Sequence, residues 1–404
     1  MRHVHQSRLS IWTGFVMFVI THVILGCAKK FYSLGGYTQM QYRLIRPEEL
    51  PQAAALADSV FRKEGDRSMG ELFPSIFRPG LVHSYAAWDE DGTLAAFMGL
   101  VPSTVQAGPV ALRAFSIGSV CTAPAYRNRG LAGTLLALCQ KHARRAGAAL
   151  IFVSGERSLY ERAGCVPFGR AARVRLHPEA AASLAAAAED EDRLLRPMQP
   201  EDLHAVCELL TAREAGFAAS AGELAAELGA GALAGAMGLT PRTLVAVREG
   251  RVEGFLAAAL PAAVPGAPAD PARGDAAPSD GAAVEWAGRP EAVAALLAKA
   301  ALCSGAALEV PVPWHEHRLL ALLREAGAAA AFGGNAGTVC AASRAELLRQ
   351  AVPAEADRAA VEAAAPGDRE LLSVLFDPDS PLRAAADGLP PALPLPYLYG
   401  LHFV

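Results

Sequence analysis

The chain is poor in the features that mark several protein classes. Its seven cysteines (Cys27, Cys121, Cys139, Cys165, Cys207, Cys303 and Cys340) are widely scattered and form no C-x-x-C pair. An odd, scattered set suits neither a disulfide framework nor a zinc site, so the thiols are expected to be reduced and buried, and no metal is implied. Basic charge is not in excess: the formal net charge is −4, which gives no electrostatic case for nucleic acid as a partner. Aromatic residues are sparse at 7%, yet hydrophobic residues reach 52%, enough for packed cores and too many for global disorder.

A spanning-length hydrophobic run is also missing. Ile11 to Cys27 is apolar, between Arg8 and the pair Lys29 and Lys30, but it is short for a transmembrane helix and nearer the length of a signal-peptide core. Ile24-Leu25-Gly26-Cys27 resembles a lipoprotein cleavage site, although Leu25 fits poorly where a small residue is usual. Met40 is followed by Gln41-Tyr42-Arg43-Leu44-Ile45-Arg46-Pro47, a good opening strand. Residues 1–39 are therefore expected to be an extension outside the fold, either an upstream mis-start or a signal or anchor. Only in the second case does a membrane become a partner.

With 404 residues, two domains and a tail are expected. The chain repeats itself. Arg43-Leu44-Ile45-Arg46-Pro47 recurs as Arg193-Leu194-Leu195-Arg196-Pro197, displaced by 150 residues. Tyr85 to Trp88 with the turn Asp91-Gly92 is answered by Leu244 to Val247 with Glu249-Gly250, and Phe97 and Phe255 each stand five residues past the turn glycine. Ala148 to Val153 pairs with Ala306 to Pro311, and Glu161-Arg162-Ala163-Gly164 with Arg324-Glu325-Ala326-Gly327. Matches in the same order imply two copies of one α/β unit.

The copies differ where chemistry would sit. In the first, a strand from Phe115 to Thr122 runs into Arg127-Asn128-Arg129-Gly130-Leu131-Ala132-Gly133, and a helix follows to Ala146. A Gly/Arg-rich helix start offers unpaired backbone N–H groups and the positive end of the helix dipole to an anion. Gly130 lets the backbone approach a pyrophosphate, and Arg127 and Arg129 add charge-assisted bonds. The second copy has Ala287-Gly288-Arg289-Pro290-Glu291 instead, in which Pro290 removes a donor and Glu291 opposes a phosphate. Before it, Pro261 to Gly281 reads as a Pro/Ala/Gly/Asp-rich disordered excursion.

At these residues the chain resembles the GNAT acetyltransferase superfamily, whose signature is Gln/Arg-x-x-Gly-x-Gly/Ala at the helix after the fourth strand. Here it stands as Arg127-Asn128-Arg129-Gly130-Leu131-Ala132, led by Val120-Cys121-Thr122-Ala123-Pro124 and followed later by Ser158-Leu159-Tyr160-Glu161-Arg162-Ala163-Gly164-Cys165. The likeness is good over 41–175 and weaker over 190–345. The tandem layout resembles the enhanced-intracellular-survival group. It implies two tandem GNAT folds, each a mixed, mainly antiparallel sheet flanked by helices, the second degenerate. The expected limits are 40–180 for the catalytic domain, 190–345 for the degenerate one, and 346–404 for a helical C-terminal region shorter than that group's third domain.

The resemblance further implies acetyl-CoA as cosubstrate, its pyrophosphate held by Arg127, Asn128, Arg129, Gly130, Leu131, Ala132 and Gly133, and its pantetheine arm by the backbone of Val120, Cys121 and Thr122. Tyr160 falls where the family has the general acid for the thiolate; its counterpart in the second copy is Leu323. The group also uses the chain's terminal carboxylate as base. The apolar, aromatic ending Leu395-Pro396-Tyr397-Leu398-Tyr399-Gly400-Leu401-His402-Phe403-Val404 suits a buried terminus, either as that base or as packing on the second copy. The expected acceptor is an amine, hinted to be cationic by Asp66, Glu71, Phe73 and Phe77, with a cytoplasmic location following the donor and a homo-oligomer as the superfamily's habit. His83 and His142 are expected on surface or helix faces, and Glu156 in a solvated loop. His315 and His317, in Trp314-His315-Glu316-His317, diverge if helical. The rival functions are an acyl-CoA sensor without catalysis and a tandem-GNAT aminoacyltransferase; the second generally lacks the CoA loop.

Overall fold

The computed structural model describes residues 40–262 and 280–404. The expected extension at 1–39 and all but the ends of the Pro261–Gly281 stretch lie outside the described residues.

The first copy opens with β1 (Gln41–Leu44), a 3-10 turn (Pro47–Glu49), and helices α1 (Leu50–Phe61), α2 (Met69–Leu72) and α3 (Pro74–Phe77). Strands β2 (Tyr85–Trp88), β3 (Leu94–Ala107) and β4 (Val110–Thr122) follow, then α4 (Leu131–Arg145), β5 (Leu150–Val153), α5 (Ser158–Arg162) and β6 (Ala171–Leu176). Helix α6 (Pro178–Ala187) leads to the second copy: β7 (Arg193–Pro197), a 3-10 turn (Pro200–Asp202), α7 (Leu203–Thr211), β8 (Ala215–Phe217), α8 (Ala221–Ala230) and α9 (Ala232–Ala236). It continues through β9 (Thr240–Arg248), β10 (Arg251–Leu260), β11 (Gly281–Gly288), α10 (Pro290–Ser304), β12 (Leu308–Pro313), α11 (His317–Glu325), β13 (Ala329–Gly333) and β14 (Thr338–Ala341). Helices α12 (Arg344–Ala351), α13 (Glu355–Ala364), α14 (Asp368–Phe376) and α15 (Pro381–Ala384) precede an irregular tail. The turn Asp89–Thr93 is closed by its own bonds, the Asp89 and Thr93 amides donating to Thr93 O (3.0 Å) and Asp89 Oδ1 (2.7 Å).

Two mixed sheets result, each flanked by helices, which is the α/β tandem arrangement expected from the sequence. One runs β1-β2-β3-β4-β5-β14 with β8 beside the far end of β3; the other runs β13-β6-β12-β11-β10-β9-β7. Neither is built from one copy alone. β6 pairs antiparallel with β12 and β13, while β14 pairs antiparallel with β5. A repeat reports that two segments share a pattern and says nothing about which edge each last strand completes.

The repeat needs one correction of register. Arg43 clamps Glu49 with bonds of 2.7 and 2.8 Å, and Arg196 clamps Asp202 with bonds of 2.6 and 2.8 Å. Each carboxylate also accepts the N-cap amide, of Arg46 and Gln199 respectively. Pro47 therefore corresponds to Pro200 and not to Pro197, a shift of three residues from the displacement read off the pentapeptides. The capping geometry is what the two copies share, and the like-looking pentapeptides lie out of step with it.

Among the described residues, four buried clusters position the site. Helices α6, α10 and α11 pack on the second sheet through Leu184, Val293, Leu296, Leu297 and Leu323, with Leu256 and Val310 facing them. The C-terminal helices cover the first sheet through Leu347, Leu371 and Phe376 against Leu112 and Phe152. Helices α1 to α3 bury Leu50, Leu72 and Phe77 with Phe97, Cys121 and Val404; α7 and α8 bury Val206 and Leu224 with Phe255 and Leu401. Four cysteines, Cys121, Cys139, Cys165 and Cys340, are buried as expected, but Cys207 is half-buried and Cys303 is exposed in the last turn of α10, where Leu302 is exposed too. Among the described residues, no helix is long and apolar enough to cross a membrane.

Candidate active site

Helix α4 forms because Leu131, Leu135, Leu136, Cys139 and Ala143 make one buried stripe, and His142, Arg144 and Arg145 complement the dipole in the last turn. Its N-cap is Gly130 at φ +74°, preceded by Asn128 at φ +62°, and no acidic residue stands in its first turn. From Asn128 to Gly133 no backbone N–H donates to another backbone group among the described residues. The left-handed residues turn these amides outward, an arrangement fit for an anion. Arg127 and Arg129 are exposed beside it. Arg127 Nε donates to Thr122 O (3.4 Å) and Arg129 Nη2 to Ala125 O (3.1 Å), with the Arg129 guanidinium 5.0 Å over the Tyr126 ring.

The corresponding helix α10 starts differently. Pro290 stands at its start, Arg289 N–H donates to Glu253 O (2.9 Å), and Glu291 caps its own backbone and accepts from Arg318 Nε (3.0 Å). Those donors hold the Glu291 carboxyl below its usual range, charged where an incoming phosphate would have to sit.

β4 and β5 run parallel only from Ala114–Leu150 to Ile117–Val153, although β4 continues to Thr122. Gly118 to Thr122, which includes Val120, Cys121 and Thr122, thus has an edge without a β5 partner. A bulge falls here: Phe97 pairs with Cys121 but Gly99 with Gly118, so β4 carries one extra residue. Ser119 in that bulge has φ +48°, and its buried hydroxyl finds no partner among the described residues. The Cys121 thiol, pushed up to about 12 by burial, is inert, which leaves only its backbone for ligand contact.

The chain terminus enters this same place. Val404 is buried, and its terminal oxygen accepts the Ser154 hydroxyl. A Cβ on Gly118 would collide with the Val404 carboxyl group, so the close approach requires glycine. The tail's Phe403 ring lies 5.9 Å from Phe73 and 4.9 Å from Tyr399. Tyr160 lies in α5, just beyond the Ser154 turn. It is buried at 6% exposure, and its ring lies against Gly155. Burial raises its pKa above the usual phenol value, with Arg157 opposing and Cys165 assisting. The Val404 carboxylate thus sits at Ser154 beside the β4 edge, and the Tyr160 ring packs on the next residue, Gly155.

Other residues behave differently from one another. Phe73 and Phe77 are core residues, Phe77 stacking on Phe97 at 5.6 Å, while Asp66 and Glu71 pair at 3.8 Å with Arg62 and Arg67. Glu156 is exposed. His83 and His142 are not separate surface groups: His83 Nδ1 lies 3.1 Å from His142 Nε2, and the Tyr85 hydroxyl is 3.3 Å from His142 Nδ1. Their separation of 59 residues hid the pair. Burial lowers both histidine pKa values. His315 lies in a turn before α11, not on the helix, and burial pushes it down to about 4. Among the described residues, no group of three or more His, Cys, Asp or Glu could hold a metal ion. Sequence reasoning missed Gly118, Ser119 and Ser154, for which no local pattern gives a signal.

Comparison with known proteins bears on these features. Residues 41–168 match the family described as an acetyltransferase (GNAT) domain. No curated protein matches the chain. Among solved structures, it resembles a probable N-acyltransferase of Enterococcus faecalis with TM-score 0.59 and 15% identity, over 78% of this chain and 75% of that one. A GCN5-related N-acetyltransferase of Anabaena variabilis gives 0.56 and 13%, over 77% and 75%. Eis1 of Mycobacterium abscessus gives 0.51 and 16%, over 75% and 74%. At such identities the structural likeness speaks for the fold, and the family match speaks for the first copy. This chain carries an acetyltransferase domain of the GNAT family, set within a tandem α/β fold.

Proposed function

We propose that the chain is an acetyl-CoA-dependent N-acetyltransferase acting on an amine, with the Val404 carboxylate as base and Tyr160 as general acid. One observation carries this reading: the terminal oxygen of Val404 sits between Gly118 and Ser154, where β4 and β5 part. A terminus packed for stability alone has no need of a glycine notch beneath its charge.

When bound, acetyl-CoA supplies an activated acetyl thioester. The amides from Asn128 to Gly133, with Arg127 and Arg129, would hold its pyrophosphate, and the unpaired edge of Val120, Cys121 and Thr122 would bond its pantetheine arm. Aligning the acceptor amine against the thioester accounts for much of the rate. Val404 takes the amine proton directly or through a water, and Tyr160, kept protonated by burial, gives one to the departing sulfur. In this reading residues 40–180 form the catalytic unit, 190–345 a unit that has lost cosubstrate binding, and 346–404 the segment that delivers the terminus. A cytoplasmic location follows from the donor.

Incubating the purified chain with acetyl-CoA and a panel of amines tests the reading. Thiol release that depends on the amine is expected. Heat of CoA binding without turnover of any amine would make the chain a sensor, and no heat at millimolar CoA would remove the cosubstrate itself.

A further inference from the structure

The second copy has lost the features of a cosubstrate site, yet the chain's tail is fastened to it. Gly99, two residues past Phe97, pairs with Gly118; Ala257, two residues past Phe255, pairs with Glu285. Glu285 is therefore the second copy's counterpart of Gly118. Where the first copy leaves a notch for a carboxylate, the second supplies a carboxylate of its own.

That group faces the tail. Arg213, in the segment between α7 and β8, holds Glu285 Oε1 in an ion pair, both side chains largely buried. The other oxygen, Oε2, accepts the Leu401 N–H at 3.3 Å. A Cβ on Gly400 would lie 2.6 Å from the same oxygen, so a side chain there would push the carboxylate from its present place. Phe403 N–H then donates to Gly400 O (3.2 Å), closing a turn that points Val404 toward Gly118. Upstream, buried Asn335 donates to Pro396 O (2.8 Å) and accepts the Leu398 N–H (3.3 Å). The tail also joins the core of each copy, Leu401 in the buried cluster of Phe255 and Val404 in that of Phe97.

We infer that Glu285, fixed by Arg213, is a positioning residue that sets the Val404 carboxylate by anchoring the turn at Gly400 and Leu401. It touches no reacting atom. The inference rests on the reading of Val404 as base for its catalytic consequence, though not for its structural one. The degenerate copy then serves as the frame against which the first copy's base is aligned. A three-residue span from Leu401 to Val404 has little slack, so losing the anchor frees the terminus.

Two readouts on the full-length chain test this. The first is carboxypeptidase release of Val404 from native protein. The intact chain resists, Glu285→Ala loses Val404 about tenfold faster or more, and Glu285→Gln, which keeps an acceptor for Leu401, falls between, all with thermal midpoints near that of the unaltered chain. Equal release rates overturn the inference, as does a rise matched by a general loss of thermal stability in both variants. The second is a kinetic cycle. Glu285→Ala should lower kcat with KM for acetyl-CoA unchanged, and should have no further effect in a chain ending at Phe403. An equal effect in both backgrounds would make Glu285 a structural residue only. If release accelerates but removing Val404 leaves kcat intact, the anchor stands and Val404 is not the base.

Discussion

Ser154 donates its hydroxyl to the carboxylate of Val404, a residue 250 positions further along the chain. The backbone of Gly118 lies on the carboxylate's other side. Gly118→Ala should therefore expel the carboxylate from its seat. If Val404 is the base, kcat falls by ~10²-fold while KM for acetyl-CoA stays within about twofold, since the α4 loop is untouched. Steady-state kinetics with the two substrates varied separately checks this, and an unchanged kcat would remove the terminus from the mechanism.

Tyr160→Phe deletes the hydroxyl and little of the packing in a side chain only 6% exposed. Turnover should drop by ~10²-fold with CoA affinity retained. Burial raises the Tyr160 pKa above its ordinary 10.0, so the acid stays protonated across the working range. Any loss of kcat between pH 8 and about 9.5 must come from another group.

Arg129→Glu places a negative charge at the mouth of α4, reproducing what Glu291 does in α10. Calorimetry should show one CoA bound per chain, and the variant should bind at least about tenfold more weakly, corresponding to ~1.4 kcal/mol. Two bound molecules per unaltered chain would mean that the second copy retains a site despite Pro290 and Glu291.

Glu227, buried in α8, has its carboxyl pushed up to about 7 by desolvation, against a partial opposing effect of Arg78. The folded-state value exceeds the unfolded one, so its neutral form stabilises the fold below about 4.5, and that contribution is lost as the pH climbs through about 7. Urea unfolding at pH 5 and pH 8 should show the native chain losing up to ~3 kcal/mol from this group. Glu227→Gln should flatten that difference, and an equally steep slope in the variant would show that the charge is accommodated.

The sequence exposed the parts of the site that are contiguous. Arg127 to Gly133 could be read because amides at a helix start need only a local order of residues, and Tyr160 because its segment carries the family's spacing. The apolar ending after Leu395 hinted at a buried terminus. The histidine pair was hidden, since His83 and His142 meet only when β2 packs near α4. The register of the repeat is masked in the sequence because Arg196-Pro197 imitates Arg46-Pro47, whereas the capping bonds align Pro47 with Pro200.

What the chain order alone determined was the kind of chemistry to test: one candidate anion loop, one copy whose matching helix start carries Pro290 and Glu291, and a tyrosine where the family's spacing places one. Tertiary structure decided where the terminus ends and what holds it. Gly118, Ser154, Glu285 and Asn335 carry no local pattern that distinguishes them from any other glycine, serine, glutamate or asparagine. Their roles arise from contacts across tens to hundreds of residues, and such contacts are fixed by the packing of sheets and helices, not by spacing along the chain.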